Sequence, residues 1–132
     1  MFSYEPPSGW AENPHPQGSR ILEFSAGGAL ITLTILPDTA GGLAANVNRW
    51  RGQLGLEPLD EAAIRTQVRP VPLLELEGNF VELKGADRAI LCTFTIGPPF
   101  SIFLKLDGPV ETAAAQKASF EAFARTLKAN RK

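Results

Sequence analysis

The chain has 132 residues, 44% of them apolar and 20% charged, with 13 Lys and Arg against 14 Asp and Glu. That balance fits one folded domain of about 100–150 residues with its own core. It excludes a disordered chain and a broadly basic surface that would draw nucleic acid or an anionic membrane. A single cysteine, Cys92, leaves no internal disulfide to form, so cysteine usage does not fix the compartment. No apolar run reaches the ~18 residues that a spanning helix needs.

The opening Met1-Phe2-Ser3-Tyr4-Glu5-Pro6-Pro7 has neither a basic nor an apolar stretch of signal-peptide type. The location is left open: either cytoplasmic, or exported with a signal that a longer natural chain carried. Residues 1–18 form a Pro/Gly-rich arm whose one large apolar residue, Trp10, is expected to plug the edge of the core. Ser19 to Ser25 and Ala29 to Leu36 predict two strands joined by Ala26-Gly27-Gly28, where Gly-Gly supplies the positive φ of a tight hairpin. On the second strand Ala29, Ile31, Leu33 and Ile35 face one way and Leu30, Thr32, Thr34 and Leu36 the other. A strand of that kind is expected to be covered on both sides.

Pro37 stops the strand, and Asp38 or Thr39 is placed to cap a helix over about 41–54. Leu43, Val47, Trp50 and Leu54 form its apolar stripe, and Gly55 its C-terminal stop. Asp60 is placed to cap a second helix over about 60–68, with Ile64 and Val68 inward and Pro70 and Pro72 ending it. Strands return at about 72–77, 79–84, 88–96 and 100–106, with turns at Gly78-Asn79 and Gly85-Ala86-Asp87 and a longer bend at Gly97-Pro98-Pro99. A last helix over about 109–128 starts at Pro109 and turns Ala113, Phe120, Phe123, Ala124 and Leu127 inward. Its basic tail, Lys128, Arg131 and Lys132, complements the helix dipole. Short links favour antiparallel neighbours. The expected fold is α+β, an antiparallel sheet of about six strands between the helical pair and the C-terminal helix.

Few residues carry chemistry. Asn46, Arg49 and Gln53 share one flank of the first long helix, and Asn48 and Arg51 the other. Two readings stand for the first trio: contact with a partner, or hydrogen bonds that lock the helix onto the sheet. Gly41-Gly42 reads as a flexible helix start, since neither G-x-G-x-x-G nor a Walker pattern is present. His15 lies between Pro14 and Pro16, and Cys92 inside an apolar strand, so no triad or zinc ligand set is expected. Glu75, Glu77 and Glu82 read as a charged edge that resists strand-to-strand aggregation.

The run from Gly41 to Leu56, with Asn46-Val47-Asn48-Arg49-Trp50-Arg51-Gly52-Gln53 at its centre, resembles a stretch found in bacterial proteins of unknown function, many exported or lipid-anchored. Pro7-Ser8-Gly9-Trp10, Arg20-Ile21-Leu22-Glu23-Phe24, the run from Phe103 to Pro109, and Lys117, Phe120 and Phe123 match the same picture. The arrangement is similar to the fold of PsbP, the extrinsic photosystem II subunit, which a Ran-binding nuclear import factor shares. The resemblance implies a binding or assembly-assisting protein. The expectation is a non-enzymatic module that contacts another protein near Asn46, Arg49 and Gln53, with no cofactor and no nucleic acid. The alternative is a carrier of a small apolar ligand in a pocket lined by Trp50, Phe94 and Phe103.

Overall fold

The computed structural model describes residues 2–129. In chain order the elements are β1 (Phe2–Ser3), β2 (Ala11–Glu12), β3 (Arg20–Ala26), β4 (Ala29–Pro37), α1 (Leu43–Gln53), α2 (Glu61–Arg65), β5 (Val68–Leu73), β6 (Leu76–Lys84), β7 (Arg88–Thr95), β8 (Phe100–Pro109), α3 (Val110–Thr126) and β9 (Lys128–Ala129). Seven strands make one sheet in the order β2-β3-β4-β8-β7-β6-β5, every pair antiparallel. The seventh strand is β2, which the arm adds beside β3. β1 pairs separately with β9 and so joins the two ends of the chain.

The sheet has a core on each face. On one, Phe24, Ile31, Leu33, Leu91, Leu104 and Leu106 meet Ala113, Phe120, Phe123 and Ala124 of α3. Trp10 packs against this cluster, 5.7 Å from the Phe24 ring and 5.1 Å from Phe123, and donates to Gln116 Oε1. The arm's tryptophan thus seals the core edge. On the other face Val81, Leu83, Ile90, Cys92, Phe94 and Phe103 lie under Val47, Trp50 and Ile64 of the helical pair.

Local chemistry explains the boundaries. Gly27 and Gly28 turn the first hairpin with φ of 58° and 90°. α1 ends in a Schellman motif, with the Leu56 N–H on Arg51 O and the Gly55 N–H on Gly52 O. Asp60 caps α2 through the Ala63 N–H. The cap expected of Asp38 or Thr39 is not made, because α1 begins later, from Gly42, with no side-chain cap.

Residues 68–78 depart most from expectation. α2 stops at Arg65, and Val68 opens β5. Pro70 and Pro72 do not break a helix; they lie in β5, the outermost strand, whose free edge needs no N–H. The hairpin turn is Leu74-Glu75, with φ of 52° and 67°, so Gly78 and Asn79 fall inside β6. Gly78 is there for space, since a Cβ would stand 2.9 Å from Phe94 O and 3.0 Å from Val71 O. The basic tail is also displaced. The helix stops at Thr126, Lys128 lies in β9, and Arg131 and Lys132 lie outside the described residues.

Candidate functional site

α1 sorts its polar residues into anchors and free groups. Asn46 is fully buried, and its Nδ2 donates to Ala40 O at 3.1 Å and Gly42 O at 2.6 Å. It ties off the loop that enters the helix, and its Oδ1 has no partner. Asn48 clasps Leu59 twice, Nδ2 to the carbonyl and Oδ1 from the N–H. Arg51 Nε donates to Glu57 O. Asn48 and Arg51 hold α1 and the loop before α2 together. Arg49 and Gln53 are exposed, and neither makes a hydrogen bond or ion pair among the described residues. The structure therefore divides the sequence-predicted trio: Asn46 is inside, Arg49 and Gln53 outside.

Arg49 reaches back over Trp50, its Cζ 5.9 Å from the ring centroid. Lys105 of β8 approaches the same indole, Nζ also at 5.9 Å. Strand register explains this meeting. On the face below α1, β7 and β8 place Phe94 beside Phe103 and Cys92 beside Lys105. β4 then sets Thr34 beside Phe103 and Thr32 beside Lys105. The helical pair covers the apolar part of this face and stops short of β4. Beyond its margin lies a groove of about 190 Å³, lined by Leu30, Thr32, Thr34, Leu36, Arg49, Trp50, Lys105 and Asp107 among others. The Leu/Thr face of β4, expected under a helix, forms the floor of this groove.

Charges in the groove are unevenly partnered. Asp107 accepts from Arg88, and Arg20, which also lines the groove, is paired with Glu23 outside it. Lys105 is half-buried and has no hydrogen bond or ion pair among the described residues. Burial holds its ammonium below the ordinary lysine range, and Arg49 and Arg20 push the same way, against Asp107. Sequence reasoning missed Lys105. The signal that points to it is the Thr-bearing face of β4, which has to border the strand that pairs with it.

The remaining expected sites resolve differently. Trp50, Phe94 and Phe103 do not together enclose one pocket; Trp50 and Phe103 line the small groove and Phe94 a larger cleft. The three rings fill the space with each other, Trp50 5.8 Å from Phe94 and 5.9 Å from Phe103. The larger cleft, open and of about 960 Å³, lies nearby, where Pro70, Pro72 and Leu76 of the β5–β6 hairpin face Leu43, Phe94 and Ile96. Glu75 sits in the hairpin turn, and Glu77 and Glu82 project from opposite faces of β6. Glu82 accepts from Lys117 of α3 at 2.8 Å, and that bond holds its carboxyl below the usual range. Cys92 is fully buried, which pushes its thiol far up. The His15 backbone N–H donates to Asn13 Oδ1. Among the described residues no three His, Cys, Asp or Glu side chains gather in metal-binding reach, and no helix is long and apolar enough to cross a membrane.

An antiparallel sheet with a helical pair on one face and a long C-terminal helix on the other defines an α+β protein of PsbP-like fold. No model of a known protein family matches the chain, and no curated protein sequence does. Solved structures do match. LpqN of Mycobacterium tuberculosis, involved in cell envelope biogenesis, aligns with a TM-score of 0.64 at 12% identity over 97% of this chain and 82% of that one. CyanoP, the cyanobacterial PsbP of Synechocystis sp. PCC 6803, aligns with a TM-score of 0.57 at 12% identity over 98% and 86%. A protein of Bacteroides thetaiotaomicron aligns with a TM-score of 0.57 at 13% identity, over 99% of this chain but 46% of its own. This chain thus spans under half the length of that last protein. At such identities the likeness is one of fold.

Proposed function

We propose that this chain is a non-enzymatic binding or assembly module that contacts another protein through the groove beside α1. The observation that carries the reading is the pair of unpartnered cations, Arg49 and Lys105, on one indole at the margin of an otherwise packed sheet face. Neither cation holds the fold together by an ion pair, so both are free to meet an outside group. A binding role is favoured over catalysis because the most reactive side chain types lie apart: Cys92 is sealed in the core and His15 sits in the arm. Unpaired and buried, Cys92 makes no demand on redox conditions, so the fold suits the cytoplasm or an exported setting alike.

Affinity capture with the tagged chain and its Arg49→Ala variant tests this. Arg49 is exposed, so the variant melts with the parent. The expected result is a defined protein retained by the parent and lost by the variant. Identical retention by both would overturn the reading.

One observation favours a second reading, carriage of a small apolar ligand. The cleft of about 960 Å³ beside the β5–β6 hairpin falls in the size range of small-molecule sites, about 300–1,000 Å³. Leu76 stands half-exposed at its rim. Under this reading a fluorescent lipophilic probe binds the parent and fails to bind Leu76→Glu; failure to bind the parent would remove it.

A further inference from the structure

The groove has more character than a general contact surface. Its floor is the β4–β8 ladder, paired without a break from Leu30 with Asp107 to Pro37 with Phe100. The ladder uses the backbone N–H groups, so the floor lacks the free amides that cradle a phosphate. The donors that remain are side chains: the Lys105 ammonium, the Arg49 guanidinium, the Arg20 guanidinium already paired with Glu23, and the hydroxyls of Thr32 and Thr34. Trp50, Leu30 and Leu36 supply apolar wall. The groove is small, about 190 Å³, a size that suits one side chain with a charged tip.

Lys105 is the unusual element. It lies on an inner strand, facing Cys92 on one side and Thr32 on the other. A half-buried ammonium there disfavours folding unless something neutralises it. The nearby carboxylates are engaged elsewhere: Asp107 by Arg88 and Glu23 by Arg20. Resting on the protein-binding reading above, we propose that this groove is a carboxylate receptor for an acidic segment of a partner protein. One glutamate side chain of that segment enters between Lys105 and Arg49, its methylenes against Trp50. Asp107 on the rim disfavours a second close negative charge, so a monoanion suits the site better than a phosphate dianion.

The test uses the whole chain and four probes: a capped peptide of four glutamates, the matched peptide of four glutamines, acetate, and inorganic phosphate. Heteronuclear NMR of the lysine side chains reads binding at Lys105 directly. The glutamate peptide is expected to shift the Lys105 signal saturably, the glutamine peptide to leave it in place, and acetate and phosphate to bind at least tenfold more weakly. Lys105→Met and Arg49→Gln are each expected to weaken the glutamate peptide tenfold or more. Arg49→Gln guards against misfolding, since that side chain is exposed and unbonded within the described residues. Phosphate binding more tightly than the peptide, acetate matching it, or no shift at Lys105 would overturn the proposal. If the partner captured above still depends on Arg49 while the glutamate peptide fails, the carboxylate assignment falls and the protein-binding reading stands.

Discussion

Lys105 sets a pH dependence whose sign follows from its surroundings. It faces Cys92 of β7 and Asp107 of its own strand, with Arg49 of α1 and Arg20 of β3 close enough to repel it. Burial is the largest influence and favours the neutral amine, so the folded-state value lies below the ordinary 10.5. Between those two values the unfolded chain binds more protons than the folded one, and stability contributed by this residue rises with pH. Subtracting the melting temperatures of Lys105→Met from those of the parent across the alkaline range is expected to give a difference that climbs toward the parent as pH increases. A flat difference would show that the ammonium is solvated. At neutral pH Lys105→Met is expected to be as stable as the parent or more so, because an unpaired charge is replaced by an apolar side chain of similar length. Asn46 is the opposite case. Asn46→Ala removes the side-chain donor that ties Ala40 O and Gly42 O to the helix, leaving Gly42 O only the backbone N–H of residue 46, and is expected to cost about 1–3 kcal/mol, while Gln53→Ala, at an exposed position, stays within about 0.5 kcal/mol. Chemical denaturation of the two variants separates anchor from free surface.

At the scale of elements, β6 depends on the missing side chain at Gly78. Gly78→Ala would drive a Cβ against the carbonyls of Phe94 and Val71 and is expected to destabilise the protein by about 1–3 kcal/mol, measured by denaturant midpoint. A turn glycine would tolerate alanine only at a backbone penalty and leave the β6–β7 pairing unchanged. Amide exchange across β6 and β7 therefore distinguishes a crowded strand position from a turn. This position also shows how far the sequence could be read. α1 and α3 were legible because their apolar spacing repeats over several turns, and the first hairpin because Gly27-Gly28 matches its backbone. The second hairpin was not, because its turn is made by Leu74 and Glu75, whose positive φ has no local signature, whereas Gly78-Asn79 carries the signature and is a strand. Pro70 and Pro72 misled for a related reason: a breaker in a helix or a central strand is harmless on a free edge, and edges are decided by sheet order. Within the candidate site, Arg49 was legible from helical spacing. Lys105 was not, since its neighbours are assigned by the pairing of β4 with β8.

Across the whole molecule, the two ends of the chain close one core. Tyr4 stacks edge-on against Phe24 and Phe123 at 5.8 and 6.1 Å, and Trp10 lies against the same pair. β1 meets β9 immediately after α3. An arm rich in proline thus joins β3 to the C-terminal helix, with the Trp10 indole N–H donating to Gln116 of that helix. Trp10→Phe keeps much of the ring area and removes that hydrogen bond, so it is expected to cost about 1 kcal/mol. Trp10→Ala also uncovers Phe24 and Phe123 and is expected to cost about 3 kcal/mol, a loss to be read from the denaturant midpoint. Both should leave capture through Arg49 intact, because the arm closes the α3 face and the groove opens on the opposite one. Loss of capture in Trp10→Ala at temperatures where the chain remains folded would mean that the sheet transmits the arm's state from one face to the other.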